Sequence, residues 1–305
     1  MIEGERDSWR SRFLARHQLP PAYLASAQQW FDPLMNRLAA HRSGAPGPML
    51  VAVNGCQGSG KTTFCDYLRH ALEAESGLKT LALSLDDFYL GRGEREALAA
   101  RVHPLLATRG VPGTHDMSLL AATLDSLSVA EAEQGETLAI PRFNKATDDR
   151  LPRSRWDRVG LPVDIILLEG WCLGARPQSV TELTDPCNNL ERDEDTLGLW
   201  RQYVNDRLAA DFLPLYARVD FWIMLQAPSF ACVRRWRQEQ EDKLIASLAG
   251  TASAHTMTPA ALARFIQHYE RLTRHCLETL PAQVDVLLRL DERRQIMDCK
   301  RRVTK

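Results

Sequence analysis

Eight residues near the start of the chain, Gly55-Cys56-Gln57-Gly58-Ser59-Gly60-Lys61-Thr62, satisfy the spacing GxxxxGK[ST]. Each residue type has a chemical reason. Gly55, Gly58 and Gly60 let the backbone turn its N–H groups, those of Gln57 and Ser59 among them, inward around phosphate oxygens. The N-terminus of a following helix adds its positive end. Lys61 is placed to reach the β- and γ-phosphates of a nucleoside triphosphate, Thr62 to ligate Mg²⁺, and Thr63 to border the same phosphates. The flanks fit, with an apolar strand over Met49–Val53 before the loop and an amphipathic helix after it. A glycine-rich turn that matched by chance would lack that context. ATP and Mg²⁺ are the implied cofactors.

Two further segments end in carboxylates. Ser84-Leu85-Asp86-Asp87-Phe88-Tyr89 closes a second apolar run, and Val163-Asp164-Ile165-Ile166-Leu167-Leu168-Glu169-Gly170 forms a third. Strand C-termini line the ligand crevice of a doubly wound sheet, so Asp86 is placed to take the proton of a hydroxyl attacking the γ-phosphate. The competing reading makes Asp86 and Asp87 a helix N-cap pair. Glu169 at a strand end would organise Mg²⁺ or orient a nucleophile. An Asn-Lys-x-Asp segment that would read guanine is absent, which argues against a molecular switch.

These residues need a scaffold, and the hydropathy pattern supplies one. Apolar runs at Met49–Val53, Thr80–Leu85, Val163–Leu168, Val219–Leu225 and Val284–Leu290 predict strands buried on both faces of a parallel sheet. Helices are predicted at Lys61–Glu75, Ser118–Glu133, Leu197–Leu208, Phe230–Ala249 and Pro259–Thr279. The fold class is α/β: a P-loop NTPase fold, residues 46–305, preceded by a helical extension over residues 1–45 that Pro20-Pro21 divides. Residues 177–195, rich in acids, Asn and Pro, read as an exposed insertion.

Composition bounds the partners. The 305 residues are 45% hydrophobic and 25% charged with a net charge of −1, which supplies no electrostatic footprint for nucleic acid. No apolar run reaches the roughly 18 residues of a membrane span, and the N-terminus does not read as a secretory signal. Seven scattered cysteines without a CxxC pair fit reduced thiols. A cytoplasmic protein with a small-molecule partner is expected; the oligomeric state is not encoded in any of these features.

The three motifs together resemble the uridine kinase, pantothenate kinase and phosphoribulokinase group of P-loop kinases. Further segments resemble the D-glycerate 3-kinases: Arg109-Gly110-Val111-Pro112-Gly113-Thr114-His115-Asp116, Pro141-Arg142-Phe143-Asn144-Lys145, Asp149-Arg150, Glu169-Gly170-Trp171-Cys172-Leu173-Gly174, Trp236-Arg237-Gln238-Glu239-Gln240-Glu241 and Met257-Thr258-Pro259. The resemblance spans residues 20–290. Asn144 departs from it, standing where the family pattern has Asp, and the connection from Lys145 to Asp149 is short.

The resemblance implies transfer of the γ-phosphoryl of ATP to a hydroxy acid, D-glycerate foremost. Arg109, His115, Arg142, Lys145 and Arg150 lie in its acceptor region, and an Arg fork suits a carboxylate. His115 serves equally as a capping or core histidine, and the cations equally as surface charge. Arg234 and Arg237, three apart on one helix face, would form a lid over the phosphoryl group; the alternative is a solvated face paired with Glu239 and Glu241. Alternative functions are phosphorylation of a nucleoside, pantothenate or another sugar acid, or a nucleotide-binding regulator that hydrolyses ATP slowly.

Overall fold

The computed structural model describes residues 3–43, 47–128, 135–247 and 257–302. The chain begins with three helices, α1 (Glu3–His17), α2 (Tyr23–Trp30) and α3 (Asp32–Arg42), and then enters β1 (Met49–Gly55), α4 (Lys61–Ser76) and β2 (Thr80–Ser84). After α5 (Arg92–Arg101) and α6 (Met117–Leu127) come four short strands, β3 (Thr137–Ile140), β4 (Phe143–Asn144), β5 (Asp149–Arg150) and β6 (Asp157–Gly160). The core resumes with β7 (Ile165–Gly170), α7 (Val180–Thr184), α8 (Asn189–Glu194), α9 (Leu199–Arg207), α10 (Leu213–Tyr216) and β8 (Phe221–Gln226). It closes with α11 (Phe230–Ser247), α12 (Pro259–Thr279), β9 (Val286–Leu290) and β10 (Ile296–Arg301).

The main sheet runs β10-β9-β8-β1-β7-β2, parallel except for β10. The β1 strand sits between β7 and β8, and the chain leaving it crosses to β2 on the far side of β7, so the C-terminal end of β1 is a switch point where ligands bind. Alternation along the strands divides two cores. Val51, Val53, Ile165 and Leu167 face α1–α4, while Leu50, Ile166 and Leu168 face the helices around α6 and α9. Glu169 keeps the parity of Ile165 and Leu167, which aims it at the α4 side. Trp9 and Phe13 of α1 join the same core as Phe64 and Leu68 of α4.

The five predicted strands all occur. Of the predicted helices, Ser118–Glu133 ends at Leu127 and Phe230–Ala249 is described to Ser247; residues 129–133 and 248–249 lie outside the described residues. Residues 177–195 are mostly exposed, as expected of an insertion, but they are anchored to the core. They form α7 and α8 and bury Leu183, Leu190, Glu191 and Asp195. Burial of those acids is possible because Arg271 grips Glu191 at 2.6 and 2.8 Å and Arg201 reaches Asp195 at 3.0 Å. The hairpin of β3 with β6 and the last strand β10 carry no clear sequence period.

Candidate active site

The phosphate loop leaves β1 at Gly55 and enters α4 at Lys61. Gly58 and Gly60 hold φ of +77° and +89°, left-handed values that favour glycine. A Cβ on Gly55 would fall 2.6 Å from Ser59 Oγ, so any other residue there would force that hydroxyl to turn away. The buried polar atoms of Gln57 and the Ser59 hydroxyl have no hydrogen-bond partner. Behind the loop, Thr62 Oγ1 donates to Glu169 Oε1 at 2.8 Å, and Lys61 Nζ lies 3.6 Å from Glu169 Oε2. That second carboxylate oxygen is buried and accepts no hydrogen bond. A hydroxyl beside an unsatisfied carboxylate oxygen, at the mouth of a phosphate loop, is a donor set that suits a hard divalent cation such as Mg²⁺. Burial pushes the Lys61 ammonium toward a lower pKa, but the charges of Glu169 and Asp86 outweigh it and the net direction is up.

Asp86 and Asp87 follow β2 in a 3₁₀ turn whose cap is Ser84, the hydroxyl accepting Asp86 N–H at 3.3 Å. The capping role considered for the two aspartates is thus taken by another residue, and the aspartates diverge. Asp86 accepts the Tyr89 hydroxyl at 2.9 Å and the Lys145 ammonium at 2.6 Å. Burial alone would raise its pKa; the Lys145 and Lys61 charges overcome this and hold the carboxyl well below the usual range. Asp87 points the other way, accepting Phe143 N–H at 3.1 Å and Arg142 at 2.6 Å. For Asp87 burial wins over Arg142, and the pKa rises. One carboxylate faces the cleft and the other anchors the segment that carries Lys145.

A cleft of about 670 Å³ opens over Lys61, Thr62 and Asp86 and is bordered by Arg109, Lys145 and Arg237. Arg109 is held by its backbone as well as its side chain. Tyr269 of α12 donates its hydroxyl to the Arg109 carbonyl at 3.0 Å, and Trp171, just past β7, donates Nε1 to the Gly110 carbonyl at 3.1 Å. Gly110 has φ +142°, and a Cβ there would sit 2.5 Å from the Tyr269 oxygen. Thr114 closes the same loop, accepting from Gly110 N–H and donating to the Val111 carbonyl. The guanidinium of Arg109 pairs with Asp148, which also takes Arg95 at 2.6 Å.

The structure brings together Asp86, Lys61, Thr62, Glu169, Arg109, Lys145 and Arg237. Other predicted residues stand elsewhere. His115, expected at the acceptor, is buried behind Tyr89, its ring stacked on that ring at 4.5 Å and edge-on to Phe212. Neither ring nitrogen has a hydrogen-bond partner, and burial pushes its pKa down to about 4. Arg150 turns from the cleft to Asp116 and the Tyr89 carbonyl, both at 3.0 Å. Arg142 spans Asp87 and Asp157 in the neighbouring groove. Arg234 faces a separate groove beside Glu270 and Arg274, so the two lid arginines do not converge. Glu239, offered as their partner, pairs with Arg294 instead. Asn144 accepts Ala146 N–H at 3.0 Å and turns its own hairpin, which accounts for a short connection to Asp149. Tyr89, Trp171, Tyr269 and Asp148 were missed as site residues; of these, Tyr89 and Trp171 stood in recognised motifs.

No protein-family model matches the chain. The chain is 30% identical over 256 residues to the uncharacterized kinase mug58 of Schizosaccharomyces pombe, covering 76% of this chain and 87% of that one. The chain belongs to this family of P-loop kinases, which includes D-glycerate 3-kinases. It is 32% identical over 203 residues to the chloroplastic D-glycerate 3-kinase of Arabidopsis thaliana, covering 64% of this chain and 41% of that protein, less than half its length. The D-glycerate 3-kinase structure from Cryptococcus neoformans superposes with a TM-score of 0.72 at 25% identity, covering 90% of this chain and 99% of that one. This kinase is accordingly a nucleotide-binding phosphotransferase that acts on an alcohol group of a small molecule. Among its described residues no helix is long and apolar enough to cross a membrane.

Proposed function

We propose that this kinase transfers the γ-phosphoryl group of ATP to the 3-hydroxyl of D-glycerate, giving 3-phosphoglycerate and ADP. The observation that carries the proposal is the presence in one cleft of a carboxylate, Asp86, and two cations, Lys145 bonded to it and Arg109 bordering the same cleft. A hydroxy acid presents both complements, an alcohol for the carboxylate and a carboxylate for the cations. Relatives named D-glycerate 3-kinase support the same acceptor. The free state of all seven cysteines supports a reducing, cytoplasmic setting.

The reaction forms one bond, from the acceptor oxygen to the γ-phosphorus, and breaks the bond from that phosphorus to the β–γ bridging oxygen. The hydroxyl proton passes to Asp86 while ADP leaves. A loose transition state releases this proton late, so a carboxylate of low basicity serves if it is well aimed. Tyr89 fixes that aim through one carboxylate oxygen, and Lys145 leaves the other to the acceptor as it engages the acceptor's own carboxylate. Lys61 and Arg237 offset charge on the transferred group. Bound Mg²⁺, held by Thr62 and Glu169, would neutralise phosphate charge.

The test is ADP release with D-glycerate, glycerol, uridine and pantothenate in parallel, with the product identified by ³¹P NMR. Glycerate alone should stimulate strongly. Stimulation by uridine or pantothenate with none by glycerate would overturn the proposal.

A further inference from the structure

We propose that His17, the last residue of α1, is a positioning residue for the phosphate loop: held by Asp66, it sets the direction in which the Thr63 hydroxyl donates and so couples polyphosphate binding to proton uptake. The proposal rests on the phosphate-loop reading and extends it to a helix that the motif does not include. Thr63 borders the cleft over the loop. Its Oγ1 lies 3.4 Å from His17 Nδ1, and the other ring nitrogen, Nε2, lies 2.8 Å from Asp66 Oδ2. Thr63 and Asp66, three apart in α4, share a helix face, so hydroxyl and carboxylate both meet the end of α1. Aromatic packing seats α1 there, with Phe13 and Trp9 edge-on to the Tyr67 ring at 5.4 and 5.2 Å. Arg10 adds an ion pair to Glu75 at 2.5 Å.

The tautomer follows from the neighbours. Burial alone would raise the Asp66 pKa, but hydrogen bonds from His17 and Arg69 outweigh it and hold the carboxyl below its usual range. An ionised carboxylate can only accept, so Nε2 of His17 carries a proton. In the neutral ring Nδ1 is then an acceptor and takes the Thr63 proton, which leaves oxygen lone pairs toward the phosphates. In the imidazolium Nδ1 donates instead, and the Thr63 proton is free for a phosphate oxygen. A bound polyphosphate therefore favours the charged ring, as does the negative end of α1. The other charges around His17 are Arg16 on α1 and Arg69, His70 and Glu73 on α4. Across the groove that His17 lines stand Lys79, Asp87, Arg142, Asp157, Arg158 and Glu169. Arg142 engages Asp87 and Asp157, and Arg69 engages Asp66 and Glu73, so Asp66 is the charged group bonded to the ring itself.

Isothermal titration of the full chain with inorganic tripolyphosphate, free of metal and in two buffers of different ionisation heat, reads the protons taken up on binding. The unaltered chain should take up more protons than His17→Gln, whose side chain does not titrate; the difference cancels protons that belong to the ligand. From about pH 8 to about pH 6, where histidines ordinarily change charge, affinity should rise about fivefold more in the unaltered chain than in His17→Gln, the worth of one hydrogen bond of about 1 kcal/mol. Thr63→Val keeps the side-chain shape, removes the hydroxyl, and should lose the same excess with His17 in place. Equal proton uptake in the unaltered chain and His17→Gln would overturn the proposal. So would an excess that survives in Thr63→Val, because His17 would then act as a bare charge. The His17 ring also packs on Phe13 at 4.8 Å, so a folding defect in His17→Gln leaves Thr63→Val as the deciding variant. No acceptor enters the assay, so failure of the glycerate reading leaves it intact. Failure of the phosphate-loop reading is separately visible as unaltered tripolyphosphate binding in Lys61→Ala.

Discussion

Two glycines of the phosphate loop share a left-handed backbone but have different surroundings, and comparing them measures how tightly α11 seats on the loop. A Cβ on Gly60 would meet nothing within 4 Å, whereas one on Gly58 would lie 2.7 Å from Trp236 Cβ and 3.4 Å from the Trp236 carbonyl carbon. Trp236 cannot retreat easily. It is fully buried, and its Nε1 donates to the Glu292 carbonyl at 2.8 Å. Gly60→Ala should therefore cost backbone strain alone, about 1–2 kcal/mol. Gly58→Ala adds overpacking, about 1–3 kcal/mol beyond the same strain. The gap between the variants is then about 2 kcal/mol. Unfolding entropy of about 2.1 cal/mol/K per residue makes each kcal/mol worth about 1.6 °C for 305 residues. Gly58→Ala should melt about 3 °C below Gly60→Ala in calorimetry without nucleotide, with the same order of Cm values in urea. Equal losses in the two variants would refute the close packing of Trp236 on the loop. That packing has a functional side, because the next residue, Arg237, borders the cleft; Gly58→Ala should lower kcat further than Gly60→Ala.

Asp86→Asn keeps the shape of the side chain and removes its basic site, so kcat should fall by about 10² to 10⁴ with nucleotide affinity held, as stopped-flow and steady-state assays would read. Tyr269→Phe deletes the hydroxyl that fixes the Arg109 carbonyl and should raise the acceptor KM more than it lowers kcat; an unchanged KM would return Tyr269 to a packing role. His115 and His268 are buried, and burial depresses both to about 4 from an unfolded value near 6.5. Their stabilising effect is complete above pH 6.5 and is lost as pH falls toward 4, because the unfolded chain takes up those protons first. Each should cost about 2 kcal/mol between pH 8 and 5, and a His115→Phe variant should show a smaller drop in Tm over that interval.

The parts of the site legible in sequence are those that one contiguous segment can specify. The phosphate loop carries its own glycines, lysine and threonine, and the parity of β7 decides which face Glu169 occupies. Pro20-Pro21 announced the bend between α1 and α2. What escaped depends on partners far along the chain. Tyr269 reaches Arg109 across 160 positions, and Arg95, fully buried, joins the carbonyls of Leu90 and Ala107 to Asp148. A tyrosine on an amphipathic helix or an arginine in an exposed-looking stretch gives no local sign of such a contact.

The lid arginines show where a local rule stops short. Positions three apart on an α-helix are turned by about 300°, which leaves them about 60° apart on its surface. That difference matters little on an open face, but α11 is not free to rotate. Trp236 is wedged against Gly58 and tied to Glu292, and Cys232 and Val233 are buried one turn earlier. With that rotation fixed, Arg237 borders the phosphate cleft and Arg234 borders the groove beside Glu270, while Arg235 is drawn to Glu292 at 3.2 Å. Arg237→Ala should therefore lower kcat while Arg234→Ala leaves it near that of the unaltered chain. Equal losses from the two single variants would mean that α11 turns or closes during the reaction, bringing Arg234 to the phosphoryl group as well.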